Sequence, residues 1–164
     1  MRFTVEQTLP GPIDRVLDAL LDPDFVARLG DLPNLAPPVV LDQERDGDGV
    51  VQLVQHRFIG SLPSAVTRVV DPAKLTWVAE TVYDLARGRA SFRILPDHYA
   101  GKLRCSGTHT FTASGDSTRR VTAGELAVSV PLVGRVVERA IVSGLRSHLD
   151  GECELLASWL EVKP

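Results

Sequence analysis

Two cysteines, Cys105 and Cys153, are all that the 164 residues contain, and they lie far apart with no CxxC spacing. A disulfide framework is therefore not indicated, and both thiols are expected to be reduced and buried. Excess charge of either sign is missing too: 18 Lys and Arg against 21 Asp and Glu leave a net charge of −3, with an isoelectric point near 5.8. Such a chain has no basic footprint, which argues against nucleic acid and against anionic membrane surfaces as partners. No apolar run approaches the roughly 18 residues of a membrane span. The opening MRFTVEQTLPGP alternates polar and apolar residues instead of placing a basic region before an apolar one, so no export signal is read and a cytoplasmic protein without stable membrane insertion is expected. Signature motifs are lacking as well. HxH and HExxH are absent, which argues against a catalytic metal. GxSxG, GxGxxG and P-loop spacings are absent too, which argues against a serine nucleophile and a nucleotide cofactor. No cofactor is expected.

What is present is the material of one domain, spanning 1–164. Hydrophobic residues make up 44% and mean hydropathy is near zero, enough for a sizeable core. Arg2 to Pro10 reads as a strand with Phe3, Val5 and Leu9 on one face. Pro12 to Leu21 and Pro23 to Leu29 read as short helices in tandem, broken at Asp22-Pro23. After the Pro-rich loop Leu32 to Pro38, the runs Val39 to Gln43 and Val50 to Ile59 flank Asp46-Gly47-Asp48-Gly49, a hairpin signal. Gly60 to Asp71 reads as a short amphipathic helix or lid. Strands resume at Leu75 to Leu85, Arg89 to Leu95, Lys102 to Ala113 and Arg119 to Val130, joined by short turns. Connections this short imply an antiparallel meander.

Pro131 to Glu161 reads as one closing helix of roughly 45 Å, with an apolar stripe running through Val137, Ile141, Leu145, Leu149, Leu156 and Trp159. Gly134, Gly144 and Gly151 fall on or beside that stripe, each at a cost of about 1 kcal/mol relative to alanine. Two explanations stand: close backbone packing or a kink, or room for a ligand beneath the helix. His148 and Glu152, four residues apart, fall near the middle of the same stripe. They mark the point where the stripe reaches solvent, or a mutual structural hydrogen bond, or a polar anchor for a ligand.

The order of elements, strand, two helices, about six strands and a long helix, is an α+β architecture in which an antiparallel sheet curls around the helix. With the residues that fill it, it resembles the START-like superfamily, also called SRPBCC or the helix-grip fold, over essentially the whole chain. The C-terminal half is most similar to the family catalogued as domain of unknown function 2505. The matching residues are Leu62-Pro63, Trp77, Ser106-Gly107-Thr108, and Gly124 to Gly134 with Glu138 beyond. The superfamily resemblance implies a cavity between sheet and helix that takes an apolar small molecule or lipid; the narrower one implies no known chemistry.

Strand alternation supplies candidate lining residues. Cys105, Gly107, His109 and Phe111 share one face of their strand, Ala90, Phe92 and Ile94 one face of the next, and Trp77, Ala79, Thr81 and Tyr83 one face of a third. In Val50 to Ile59 either Val54, His56 and Phe58 or Leu53, Arg57 and Ile59 point inward. His56, His109 and Tyr83 read as structural residues or as site residues, and Trp77 as core, pocket wall or both. The candidate binding set is His148, Glu152, His109, Trp77, Tyr83, Phe92, Cys105, Ile141, Gly144 and Leu145, with no catalytic or metal-ligating residue assigned. Binding or carriage of an apolar small molecule or lipid is the leading expectation. A cyclase- or aromatase-like enzyme using His109, His148 or Glu152 as general acid or base is the alternative.

Overall fold

The computed structural model describes residues 1–162. Seven strands form one antiparallel sheet: β1 (Arg2–Leu9), β2 (Val39–Asp46), β3 (Gly49–Arg57), β4 (Thr76–Asp84), β5 (Arg89–Pro96), β6 (Leu103–Ser114) and β7 (Ser117–Val128). Their order across the sheet is β1-β7-β6-β5-β4-β3-β2. The meander thus runs from β2 to β7, and β1 adds itself beside the last strand. Between β1 and β2 come α1 (Ile13–Leu20) and α2 (Pro23–Arg28), and a single turn, α3 (Ser64–Thr67), interrupts the passage from β3 to β4. The chain closes with α4 (Gly134–Val162). This is the α+β helix-grip architecture.

Local chemistry accounts for the joints. Asp22 caps α2 by accepting the Asp24 N–H at 2.9 Å, with proline in the first turn. Gly47 turns the β2–β3 hairpin in the left-handed region, at φ 61°. Gly107 and Gly124 face each other across β6 and β7. A Cβ on either would come within 2.7 Å of the ring of Phe92 or Phe3, so side chains close over the bare backbone where the sheet curls.

Two ends of the molecule follow from this topology. At one end α1, α2 and the C-terminal half of α4 pack on the sheet, and Leu9, Val16, Phe25, Val50, Phe111 and Leu156 form the core. At the other end, where α4 begins, no comparable helix pair covers the sheet.

Several expectations change. The helix begins at Gly134, not Pro131: residues 131–133 form a turn, with Leu132 fully exposed at φ 70°. The second tandem helix ends at Arg28 and continues as a 3₁₀ turn, Leu29–Asp31. Gly134 and Gly151 do not leave room. A Cβ there would lie 2.7 Å from the Val128 carbonyl oxygen and the Leu32 side chain respectively, so both glycines permit close packing. Gly144 is exposed rather than buried, and a Cβ on it would meet nothing within 4 Å. Both cysteines are half-buried rather than buried, Cys153 with its Sγ donating to the Thr8 carbonyl at 3.2 Å.

Candidate functional site

The alternation that sends Leu126 inward on β7 sends Thr118, Arg120 and Thr122 inward as well. Arg120 is only 2% exposed, and a guanidinium so placed needs acceptors for its donors. Its Nη1 donates to Glu152 Oε1 on α4, in a buried ion pair. Its Nη2 and Nε donate to Gln7 Oε1 on β1, at 2.5 and 3.1 Å. Gln7 in turn donates through Nε2 to Asp150 Oδ1 at 3.1 Å. β1, β7 and α4 are thereby tied at one point. Burial alone would raise the Glu152 carboxyl, but Arg120 and, less strongly, His148 outweigh it and hold the group below the usual carboxylate range.

The Glu152 charge is felt from several elements, by His56 on β3, Tyr83 on β4, His109 on β6 and His148 on α4. Burial, reinforced by His148, lowers His56 to about 4. Burial, reinforced by Arg120, does the same to His109. His148 is lowered chiefly by burial, against the pull of Glu152. All three are neutral imidazoles at physiological pH. Burial also raises the Tyr83 phenol, with Glu152 adding to the effect.

The histidines differ in how they are satisfied. His109 Nδ1 is 2.8 Å from Thr122 Oγ1, and its ring stacks on Phe92 with centroids 4.8 Å apart. The His56 ring stacks on Trp77 at 5.5 Å and 12°. The Nδ1 atoms of His56 and His148, however, are buried and have no hydrogen-bond partner among the described residues. Backbone and side-chain polar atoms in interiors are nearly always paired, so these two orphans are unusual.

Beyond this polar layer, toward the start of α4, the inner face is apolar and open. Trp77, Ala79, Phe92, Ile94 and Cys105 point inward but are only half-buried, as are Ile141 and Leu145 on the facing stripe of α4. The sheet itself forks there. Pairing of β5 with β6 ends at Arg93 and Ser106; Ile94 to Pro96 stay with β4 and Leu103 to Cys105 with β7. A cleft of about 440 Å³ between them brings Ile94, Leu103 and Cys105 to the surface. Burial pushes the Cys105 thiol up to about 11, so it is a protonated wall residue with no nucleophilic character at neutral pH.

The sequence profile of the family described as "Protein of unknown function (DUF2505)" matches residues 4–160. The chain belongs to the DUF2505 family. No curated protein matches it. Solved structures share its fold at low identity. The protein TTHA0849 from Thermus thermophilus is 20% identical, with a TM-score of 0.71 over 96% of this chain and 98% of that one. The Zhui aromatase/cyclase from Streptomyces sp. R1128 is 21% identical, at 0.60 over 94% and 93%. Norcoclaurine synthase from Thalictrum flavum, solved with dopamine and hydroxybenzaldehyde, is 17% identical, at 0.61 over 100% and 88%. These likenesses establish the START-like fold.

In this DUF2505 protein the sequence-derived candidates separate into three groups. His109, Tyr83, His148 and Glu152 converge on the polar layer. Trp77, Phe92, Cys105, Ile141 and Leu145 surround the open region. Gly144 is exposed and joins neither group. His148 and Glu152 do not satisfy each other, because Glu152 is engaged by Arg120. The alternation on β3 resolves in favour of Val50, Gln52, Val54 and His56, which adds His56 to the group. Arg120 and Gln7 were not among the candidates; counting back by twos from Leu126 would have reached Arg120, Thr118 and Thr122. Among the described residues no cluster of His, Cys, Asp or Glu could hold a metal ion, and no helix is long and apolar enough to cross a membrane.

Proposed function

We propose that this DUF2505 protein, acting as a single START-like domain, binds an apolar small molecule between the first half of α4 and the inner face of the sheet. The observation that carries the reading is the incomplete burial of inward-facing Trp77, Phe92, Ile94, Ile141 and Leu145, since interiors are normally packed to crystal-like density. A guest there would bury apolar surface at about 25 cal/mol per Å². The walls are Trp77, Phe92, Cys105, Ile141 and Leu145, the floor is His109, Tyr83, His148 and Glu152, and the bare backbone of Gly144 leaves space at the rim. The loop around α3, tied to the turn after β5 by the Asp71 N–H donating to Tyr99 Oη at 3.0 Å, can act as a movable edge. That proteins of this fold include an aromatase/cyclase and a synthase solved with two small aromatic molecules supports the reading without naming the guest; a lipid fits the same space. The test is titration with Nile red, a neutral apolar dye, together with mass spectrometry of compounds extracted from natively purified protein. Saturable binding that Leu145→Lys abolishes is expected. Absence of both saturable dye binding and a copurifying apolar compound would sink the reading.

A cyclase- or aromatase-like reaction is the second reading, and the unpartnered His148 Nδ1 favours it. A neutral imidazole with a free nitrogen can accept a substrate proton. Glu152, committed to Arg120, is the weaker candidate base. Equal turnover of polyketide-type substrates by wild type and His148→Ala would remove His148 from any catalytic role.

A further inference from the structure

We infer that the buried end of the guest is uncharged and carries a hydroxyl group, held by His56 and His148 and not by Arg120. This rests on the small-molecule reading above and deepens it. Two observations of different kinds converge.

The first is the pair of orphan nitrogens. His56 projects from the inner face of β3 and His148 from α4, and the buried Nδ1 of each has no partner among the described residues. A neutral imidazole Nδ1 accepts a hydrogen bond when Nε2 carries the proton and donates one in the other tautomer. A hydroxyl does both, so it satisfies either nitrogen in either tautomer. The stacking of His56 on Trp77 leaves a flat wall beside this position, suited to a ring carrying the hydroxyl.

The second is the mutual pairing of the charged groups. Arg120 already donates from Nη1, Nη2 and Nε to Glu152 and Gln7, and its charge is matched by Glu152. A carboxylate or an ammonium brought to His148, one helical turn from Glu152, would be desolvated beside an ion pair whose two charges already answer each other, with no counter-charge left for it. The matched pair therefore disfavours charged head groups of both signs, while the histidines await a neutral one. Fatty acids and other apolar anions are selected against, and apolar alcohols and phenols are selected for.

Isothermal titration of the full chain at neutral pH with 2-naphthol, naphthalene and 2-naphthoate separates the possibilities, with Nile red binding as the control for an accessible site. The expected order is naphthol tightest, by about tenfold over naphthalene, and naphthoate weaker than naphthol by at least about tenfold. In His56→Phe/His148→Phe the naphthol advantage is expected to fall within about twofold. The wild-type comparison stands by itself if that variant does not fold. Equal binding of naphthol and naphthalene would overturn the inference and leave the small-molecule reading intact, the orphan nitrogens then being served by water. Tightest binding of naphthoate would overturn it in favour of Arg120 as anchor. Nile red binding without binding of any of the three would overturn it as well, whereas loss of Nile red binding too would remove the reading beneath it.

Discussion

At the α1–α2 end, Leu9, Val16, Phe25 and Leu156 are at most 1% exposed. At the other end Trp77, Phe92 and Ile94, also inward-facing on the same sheet, are only partly buried. The strands are continuous between the two ends, and their alternation does not change. What differs is the layer above. α1 and α2 pack between the sheet and the C-terminal half of α4, whereas no comparable pair of helices is present at the first half of α4. A curled sheet and a straight helix diverge, and a second element must fill the wedge or leave it open. Between the ends lies the buried Arg120–Glu152 pair, which ties β7 to α4 beside the core.

The strongest test of that division is the pair itself. Arg120→Met or Glu152→Leu alone leaves an uncompensated buried charge and is expected to lower stability by about 3–5 kcal/mol, while the two together restore most of it. Urea unfolding of the three variants against wild type reads this directly; additive losses would mean the pair does not act as a unit. The same measurement compares the ends. Phe25→Ala should cost about 3–5 kcal/mol, and Phe92→Ala, already half-exposed, under about 2 kcal/mol. Equal losses would break the comparison.

Acid sharpens it further. His56 and His109 are held near 4 when folded against about 6.5 in the unfolded chain. Between these values the unfolded state binds the proton first, so stability is complete above about pH 6.5 and falls as pH drops toward 4, by about 3 kcal/mol for each histidine. His109→Phe should flatten that slope in pH-dependent denaturation, and an unchanged slope would show that His109 is not kept neutral by burial. Three smaller effects probe α4 and the turn before it. Gly144→Ala should raise stability by about 1 kcal/mol, since the added Cβ meets nothing, while Gly134→Ala should lower it because the Val128 carbonyl stands in the way. Leu132→Gly should gain about 1 kcal/mol by relieving the left-handed backbone, because the leucine side chain is fully exposed and loses no packing. Melting temperatures resolve changes of this size.

Much of this was legible in the chain. The period-two rows of β4, β5 and β6 placed Trp77, Phe92, His109 and Tyr83 on the inner face, and the stripe of α4 placed His148 and Glu152 opposite them. Gly47, Gly88 and Gly115 turn their hairpins in the left-handed region, where turn chemistry was read. The start of α4 was misread by three residues because Pro131 suits a first helical turn and equally suits the turn that the chain makes. His56 stayed ambiguous because Val54 and Phe58 on one side balance Leu53 and Ile59 on the other. Arg120 escaped notice because an arginine beside another arginine reads as surface, and Arg119 alone is, pairing with exposed Glu6.

Local patterns by themselves determined the antiparallel meander, the tandem helices and the amphipathic closing helix, since each depends on a period of 2 or 3.6 and on turn residues a few positions apart. Tertiary structure decided which groups meet. Gln7 and Arg120 are 113 residues apart in sequence, and Arg120 and Glu152 are 32 apart. Whether Glu152 would find His148 or an arginine, and whether a glycine would meet a carbonyl or open space, depended on how far the helix stands from the curled sheet at each turn. No single segment encodes that distance, because it is set by everything packed between them.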